Sequence, residues 1–198
     1  MEFNKPVSNP MLVGAIELMK AEDTPDHRNM FLNEMMKASF LAPAVIEPTP
    51  ERDETGKAKL APGSRVQFPM LTTQDGKRFF MAFTDRMELK KWKDEEDQQT
   101  FALKFEDYAA MLLRRDPKGN ASPALGFVIN PYGGNIVISR EMAASLMAAR
   151  LAQAKNKAGQ PINPGGPVNL AQPGAAANFV RPHAGVGADE PGRERDPK

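Results

Sequence analysis

Apolar positions in the first part of the chain keep a helical rhythm. Leu12, Ala15, Ile16 and Met19 fall at i, i+3, i+4 and i+7, one face of a helix. Thr24-Pro25 reads as an N-cap followed by proline at the first helical position. The helix it opens carries Phe31, Met35 and Ala38 on its apolar side. Residues 40–48 are extended, with Pro43 confining them to a sheet edge. Residues 51–63 are polar and rich in breakers, the composition of a loop.

The rhythm then shifts to period two. Val66, Phe68, Met70 and Thr72 alternate with their neighbours, and residues 79–83 form an unbroken apolar run, as in a strand buried on both faces. Gln74-Asp75-Gly76-Lys77 lies between them as a hairpin signal, with positive φ expected at both Asp75 and Gly76. Asp85-Arg86-Met87-Glu88 has capping-box spacing and opens a short helix through Leu89 and Trp92. Phe101, Leu103 and Phe105 alternate as a strand, and residues 106–115 follow as a helix with Tyr108, Met111 and Leu112 on its core side. Two short apolar strands, residues 126–130 and 136–138, flank an Asn-Pro-Tyr-Gly-Gly-Asn loop. Ser139 caps a last helix with the stripe Ala143, Leu146, Met147, Leu151 and Ala154. The expected fold is α+β, a mainly antiparallel sheet of five or six strands with helices packed on it.

Composition sets the limits of the folded unit. Residues 155–198 hold seven Pro and seven Gly, and their apolar residues are scattered singles. Such a stretch buries too little surface to offset its ordering entropy. The expectation is a folded domain over residues 8–154 and a disordered Pro/Gly-rich tail over residues 155–198.

The 198 residues carry a formal net charge of +1 and no cysteine. Disulfides, thiolate nucleophiles, iron–sulfur clusters and cysteine zinc sites are therefore excluded. Balanced charge argues against a dedicated nucleic-acid binder. The first apolar stretch, residues 11–19, is too short and interrupted for a membrane span and lacks the flanks of an export signal, so the expected location is the cytoplasm.

Three blocks carry a family resemblance. They are Thr24-Pro25-Asp26-His27-Arg28-Asn29-Met30-Phe31 running into Phe40-Leu41-Ala42-Pro43; residues 75–85 followed by Leu89; and Gly126-Phe127-Val128-Ile129-Asn130-Pro131. In order and spacing the chain resembles the N-terminal domain of the SseB family, the enhanced serine sensitivity proteins of bacteria. The resemblance implies a link to serine tolerance and supplies no catalytic residue or cofactor. Longer members carry a second domain, whose place is taken here by the Pro/Gly tail.

Recognisable chemistry is sparse. His27 and His183 have no metal-ligand spacing, no G-x-S-x-G elbow surrounds Ser64, and Gly185-Val186-Gly187 lacks the third glycine and the strand of a phosphate cradle. The block Lys90, Lys91, Lys93 with residues 94–97 reads as a solvated helix end. The twelve methionines fall mostly on core stripes, with an adaptable partner groove as the other reading. The candidate interaction surface is the strand end Phe83, Thr84 and Asp85 with the loop Asn130, Pro131 and Tyr132. The expected function is a non-catalytic intracellular binding or regulatory module with a protein partner and no cofactor, nucleic acid, metal or membrane. The alternatives are an amino-acid sensor, or a metal-independent hydrolase built on carboxylates such as Asp85, Glu88, Glu106 and Asp107.

Overall fold

Among the described residues, four helices cover one face of a mixed sheet and a single helix covers the other. The computed structural model describes residues 2–3, 5–52, 58–95 and 98–158. The chain runs β1 (Glu2–Phe3), α1 (Pro10–Ala21), α2 (Pro25–Lys37), β2 (Ser39–Pro43), β3 (Val45–Glu47), β4 (Glu51–Arg52), β5 (Ala58–Lys59), β6 (Arg65–Gln67), β7 (Met70–Thr72) and β8 (Arg78–Ala82). It continues as α3 (Arg86–Trp92), β9 (Thr100–Lys104), α4 (Phe105–Leu113), β10 (Gly126–Ile129), β11 (Ile136–Ser139) and α5 (Arg140–Ala158).

The strands pair in the orders β1-β9-β2 and β11-β10-β8-β7, with two further pairs, β3-β6 and β4-β5. Reciprocal hydrogen bonds between Leu41 and Phe83, at 2.8 and 3.0 Å, join the three- and four-stranded sheets. Among the described strands, β8 and β10 pair in parallel, from Gly126 opposite Phe79 to Ile129 opposite Ala82, and the other pairs are antiparallel.

Alternation along the central strands builds two cores. Phe40, Ala42, Ala82, Phe127, Ile129, Ile136 and Ile138 join buried residues of α1, α2, α4 and α5 on one face. Their neighbours Leu41, Met81, Phe83 and Val128 turn to the other face and pack with Leu89 of α3. Burial on both faces is why residues 79–83 and 126–129 read as continuous apolar runs. Tyr108 centres the larger core. Its ring stacks on Phe127 at 4.7 Å, and its hydroxyl donates to the Met81 carbonyl at 2.8 Å. Burial raises the Tyr108 pKa well above the usual phenol value, with Asp107 adding to it.

The α+β expectation holds, and several local readings change. At Phe68-Pro69 the expected strand from Val66 to Thr72 breaks into β6, paired with β3, and β7, paired with β8. Proline has no N–H for a ladder, so each half pairs with a different strand. The Asp-Gly turn places only Gly76 at positive φ, 77°, while Asp75 stays in the ordinary region. Thr73 explains the difference. Its carbonyl accepts from Gly76 N at 2.9 Å and its hydroxyl bonds the Asp75 carboxylate, the pattern of a turn followed by a glycine bulge. Residues 51–63, read as loop, contain the short β4-β5 pair. At the ends, β1 pairs with β9 ahead of residue 8, and α5 continues through Ala158. The tail reading for residues 159–198 falls outside the described residues.

Pro43 keeps its place without loss. Leu41 sends its N–H to Phe83 on one side of β2, while Ala44 bonds Gln99 on the other at 2.9 Å. Pro43 shares the parity of Leu41, so its missing donor falls on the side where that pairing has ended.

Candidate functional site

The strand end and the loop nominated from sequence meet in space and hold each other. Asn130 sits at φ 50°, a left-handed conformation that asparagine tolerates better than most residues. Its Oδ1 accepts from Thr84 N and its Nδ2 donates to Thr84 Oγ1, both at 2.9 Å. Thr84 Oγ1 in turn donates to Asp85 Oδ2 at 2.8 Å. The other Asp85 oxygen caps α3 by accepting from Glu88 N at 3.0 Å.

A third chain segment enters this network. Asn9 Nδ2 donates to the carbonyls of Ser39 and Thr84, each at 2.7 Å. Asn9 stands at the N-cap of α1 but makes no side-chain cap, so its amide serves the tertiary contact instead. The ends of β8 and β10, the start of β2 and the entry to α1 are thereby stitched together. Buried polar groups that are fully paired in this way fix one arrangement of the backbone.

Phe83, Thr84, Asn130 and Pro131 are buried, while Asp85 and Tyr132 are partly exposed. Phe83 stacks on Trp92 with centroids 6.2 Å apart, under α3. Tyr132 packs against the same small core, and burial raises its phenol pKa. The loop closes on itself through Gly133 N and Asn135 N, which donate to the Asn130 carbonyl at 2.9 and 2.7 Å. Gly133 lies under the Glu88 carboxylate, which an added Cβ would meet.

The other candidates occupy separate places. His27 lies in the first turn of α2, its Nδ1 2.6 Å from the Glu22 carbonyl. His183 is outside the described residues. Glu88 pairs with Lys91, and Glu106 pairs with Arg150. Asp107 accepts from Lys104 N at 2.9 Å. Asp85 and Glu88 belong to the α3 face, and Glu106 and Asp107 to the opposite one, so the four carboxylates do not converge. Lys90 and Lys93 pair locally with Asp94 and Glu95. Met19, Met35 and Met81 are core residues, and Met36, Met70, Met111, Met142 and Met147 pack against the core.

Met11 and Met30 do something different. With Pro10, Gly14, Ala15, Glu17, Leu18 and Ala21 they line an open groove of about 650 Å³ on α1 and α2. Met11 is 69% exposed, Leu18 43% and Met30 45%. Met11, Gly14, Leu18 and Ala21 are spaced i, i+3, i+7, i+10, a second stripe beside the buried one of Leu12, Ala15, Ile16 and Met19. Helix-packing seams use this spacing. Gly14 has open space where a Cβ would project, so another backbone can come close there.

Family comparison fits this framework. A family model described as SseB protein N-terminal domain matches residues 12–145. The chain belongs to the SseB family. No curated protein and no solved structure matches it. In this SseB domain the matched span takes in the whole Thr84–Asn130 contact and most of the α1–α2 face. Among its described residues, no helix is long and apolar enough to cross a membrane, and no group of three or more His, Asp or Glu is placed to hold a metal ion.

Sequence reading missed Asn9 and the outer stripe of α1. The signal for the stripe is present, because residues 11–19 are apolar on nearly every side of the helix. One core can bury only one face of a peripheral helix. Asn9 had no such signal, since Asn-Pro before a helix reads as an ordinary cap.

Proposed function

We propose that this SseB domain is a non-catalytic module that docks a protein partner on the α1–α2 face. The exposure of Met11, Leu18 and Met30 around one groove carries the reading. Side chains of this type are normally withdrawn from water, and a contiguous apolar patch marks an interaction site. The mode that fits is a segment laid along a helical groove, with methionines adjusting to its shape. Under this reading the Thr84–Asn130 contact is the frame that holds the start of α1 to the sheet, and Asp85 and Tyr132 lie at its rim.

The amino-acid sensor reading asks for an enclosed, ligand-sized space. The crevice between Ala42, Phe68, Phe80, Tyr108 and Met111 has no room for a water-sized molecule. Affinity capture from native cells with the wild-type chain and with Leu18→Lys separates the two readings. A captured protein lost with L18K supports docking. Capture indifferent to L18K, or serine raising the melting temperature with no partner recovered, overturns it.

A further inference from the structure

The α1–α2 groove has an occupant within reach on the same chain. Residues 158–180 contain no Asp, Glu, Lys, Arg or His, and charge resumes only at Arg181. This run cannot fold by itself, but Ile162, Val168, Leu170, Phe179 and Val180 give it apolar anchors and it brings no charge that an apolar groove would have to desolvate. The groove it would meet is similarly apolar. Its one charged wall residue, Glu17, is already paired with Lys20 at 3.1 Å.

Topology brings the two to the same end of the sheet. β8 and β10 run in parallel, and β9 shares their direction because β2 is antiparallel to both β9 and Phe83. Arg150 of α5 pairs with Glu106 in the first turn of α4, directly after β9. The later turns of α5 are therefore at the end where β8, β9 and β10 finish. Asn9, at the entry to α1, bonds Thr84 at that end as well. Extended at ~3.3 Å per residue, the stretch from Ala158 to Leu170 spans up to ~40 Å, about the diameter of a domain this size.

We propose that residues 158–180 lie in the α1–α2 groove, anchored by Leu170 and Phe179, and compete there with the partner. The proposal rests on reading the groove as a docking face. Mid-helix backbones on α1 and α2 are already hydrogen-bonded and offer no strand edge. An occupant must keep its own main chain solvated, as a proline-rich extended segment does. Pro161, Pro164, Pro167 and Pro173 give the segment that character. Tethering supplies an effective concentration of roughly millimolar order, so a few apolar contacts suffice for occupancy.

The chain has no cysteine, which makes single thiols clean probes. The full-length variants L18C and M30C report the groove, and M87C, an exposed site on α3, is the reference. Each is labelled with a maleimide in the native background and with Leu170→Asp plus Phe179→Asp, the fold being checked by circular dichroism. Labelling of L18C and M30C is expected to accelerate roughly tenfold in the Asp background, the factor for a groove about nine-tenths filled, with M87C unchanged. Equal rates in both backgrounds overturn the proposal. Protection that grows with protein concentration also overturns it and assigns the groove to a second copy. After either result the docking face itself is still decided independently, by the L18K capture experiment.

Discussion

The Thr84–Asn130 contact and the α1–α2 face invert the usual rule in opposite senses. In the first, a threonine and an asparagine are buried and find their partners in each other and in Asp85 and Asn9. In the second, Met11, Leu18 and Met30 face water. A buried polar group and an exposed apolar patch are both departures that call for a reason. The paired polar groups already have theirs, since every bond they make ends inside the fold. The apolar patch finds no such reason among the described residues, and the docking proposed for it supplies one. Residue type alone points to the polar loop, while burial points to the helix.

Substitutions should separate the two regions by their effect on stability. Asn130→Ala leaves the N–H of buried Thr84 without a partner and removes the bond its hydroxyl accepts, while the hydroxyl keeps its bond to Asp85. At ~1–3 kcal/mol for the orphaned N–H and about 1 kcal/mol for the bond the hydroxyl loses, the expected loss is about 3 kcal/mol. Thermal unfolding should then shift down by about 6–12 °C. Asn9→Ala removes two bonds at partly buried carbonyls, and about 1–2 kcal/mol is expected from urea titration. Combined with N130A it should be non-additive, because both act on Thr84. Leu18→Lys, at the groove, is expected to lose at most the ~1.4 kcal/mol that a groove nine-tenths filled by residues 158–180 contributes, read in the same titration. A large loss there would mean that the face supports the fold.

The smallest effect lies outside both regions and depends on pH. Lys77, with Thr73, holds the exposed Asp75 carboxyl down at about 2. A depressed carboxylate stabilises the fold fully above its unfolded value of about 4, and the contribution fades as pH falls toward about 2. Asp75→Asn should therefore be slightly destabilising near neutral pH and indistinguishable from wild type near pH 2. Urea midpoints across that range check the sign.

Local signals in the sequence anticipated much of this framework. The buried stripe of α1, the Thr24 and Asp85 caps and the two-faced strand at residues 79–83 each depend on neighbours within one element. What escaped were features made by distant residues. The parallel pairing of β8 with β10 joins strands separated by α3, β9 and α4, and no periodicity records that choice. The split at Pro69 follows from which strands its two halves meet. Nomination of Thr84 and Asn130 found residues that come together, but their burial depends on α1 and α3 closing over them. The exposed stripe of α1 was written in its all-round apolar character, which a search for one stripe passes over.

A photo-crosslinking amino acid placed in turn at Leu18, Met30, Asp85 and Tyr132, and irradiated in native cells, tests the docking face most directly. The chain should carry Leu170→Asp and Phe179→Asp to keep the groove clear. Adducts to a second polypeptide are expected from Leu18 and Met30 and not from Asp85 or Tyr132. Adducts from Asp85 and Tyr132, with none from Leu18 or Met30, would contradict the account and return the interaction surface to the strand end and loop.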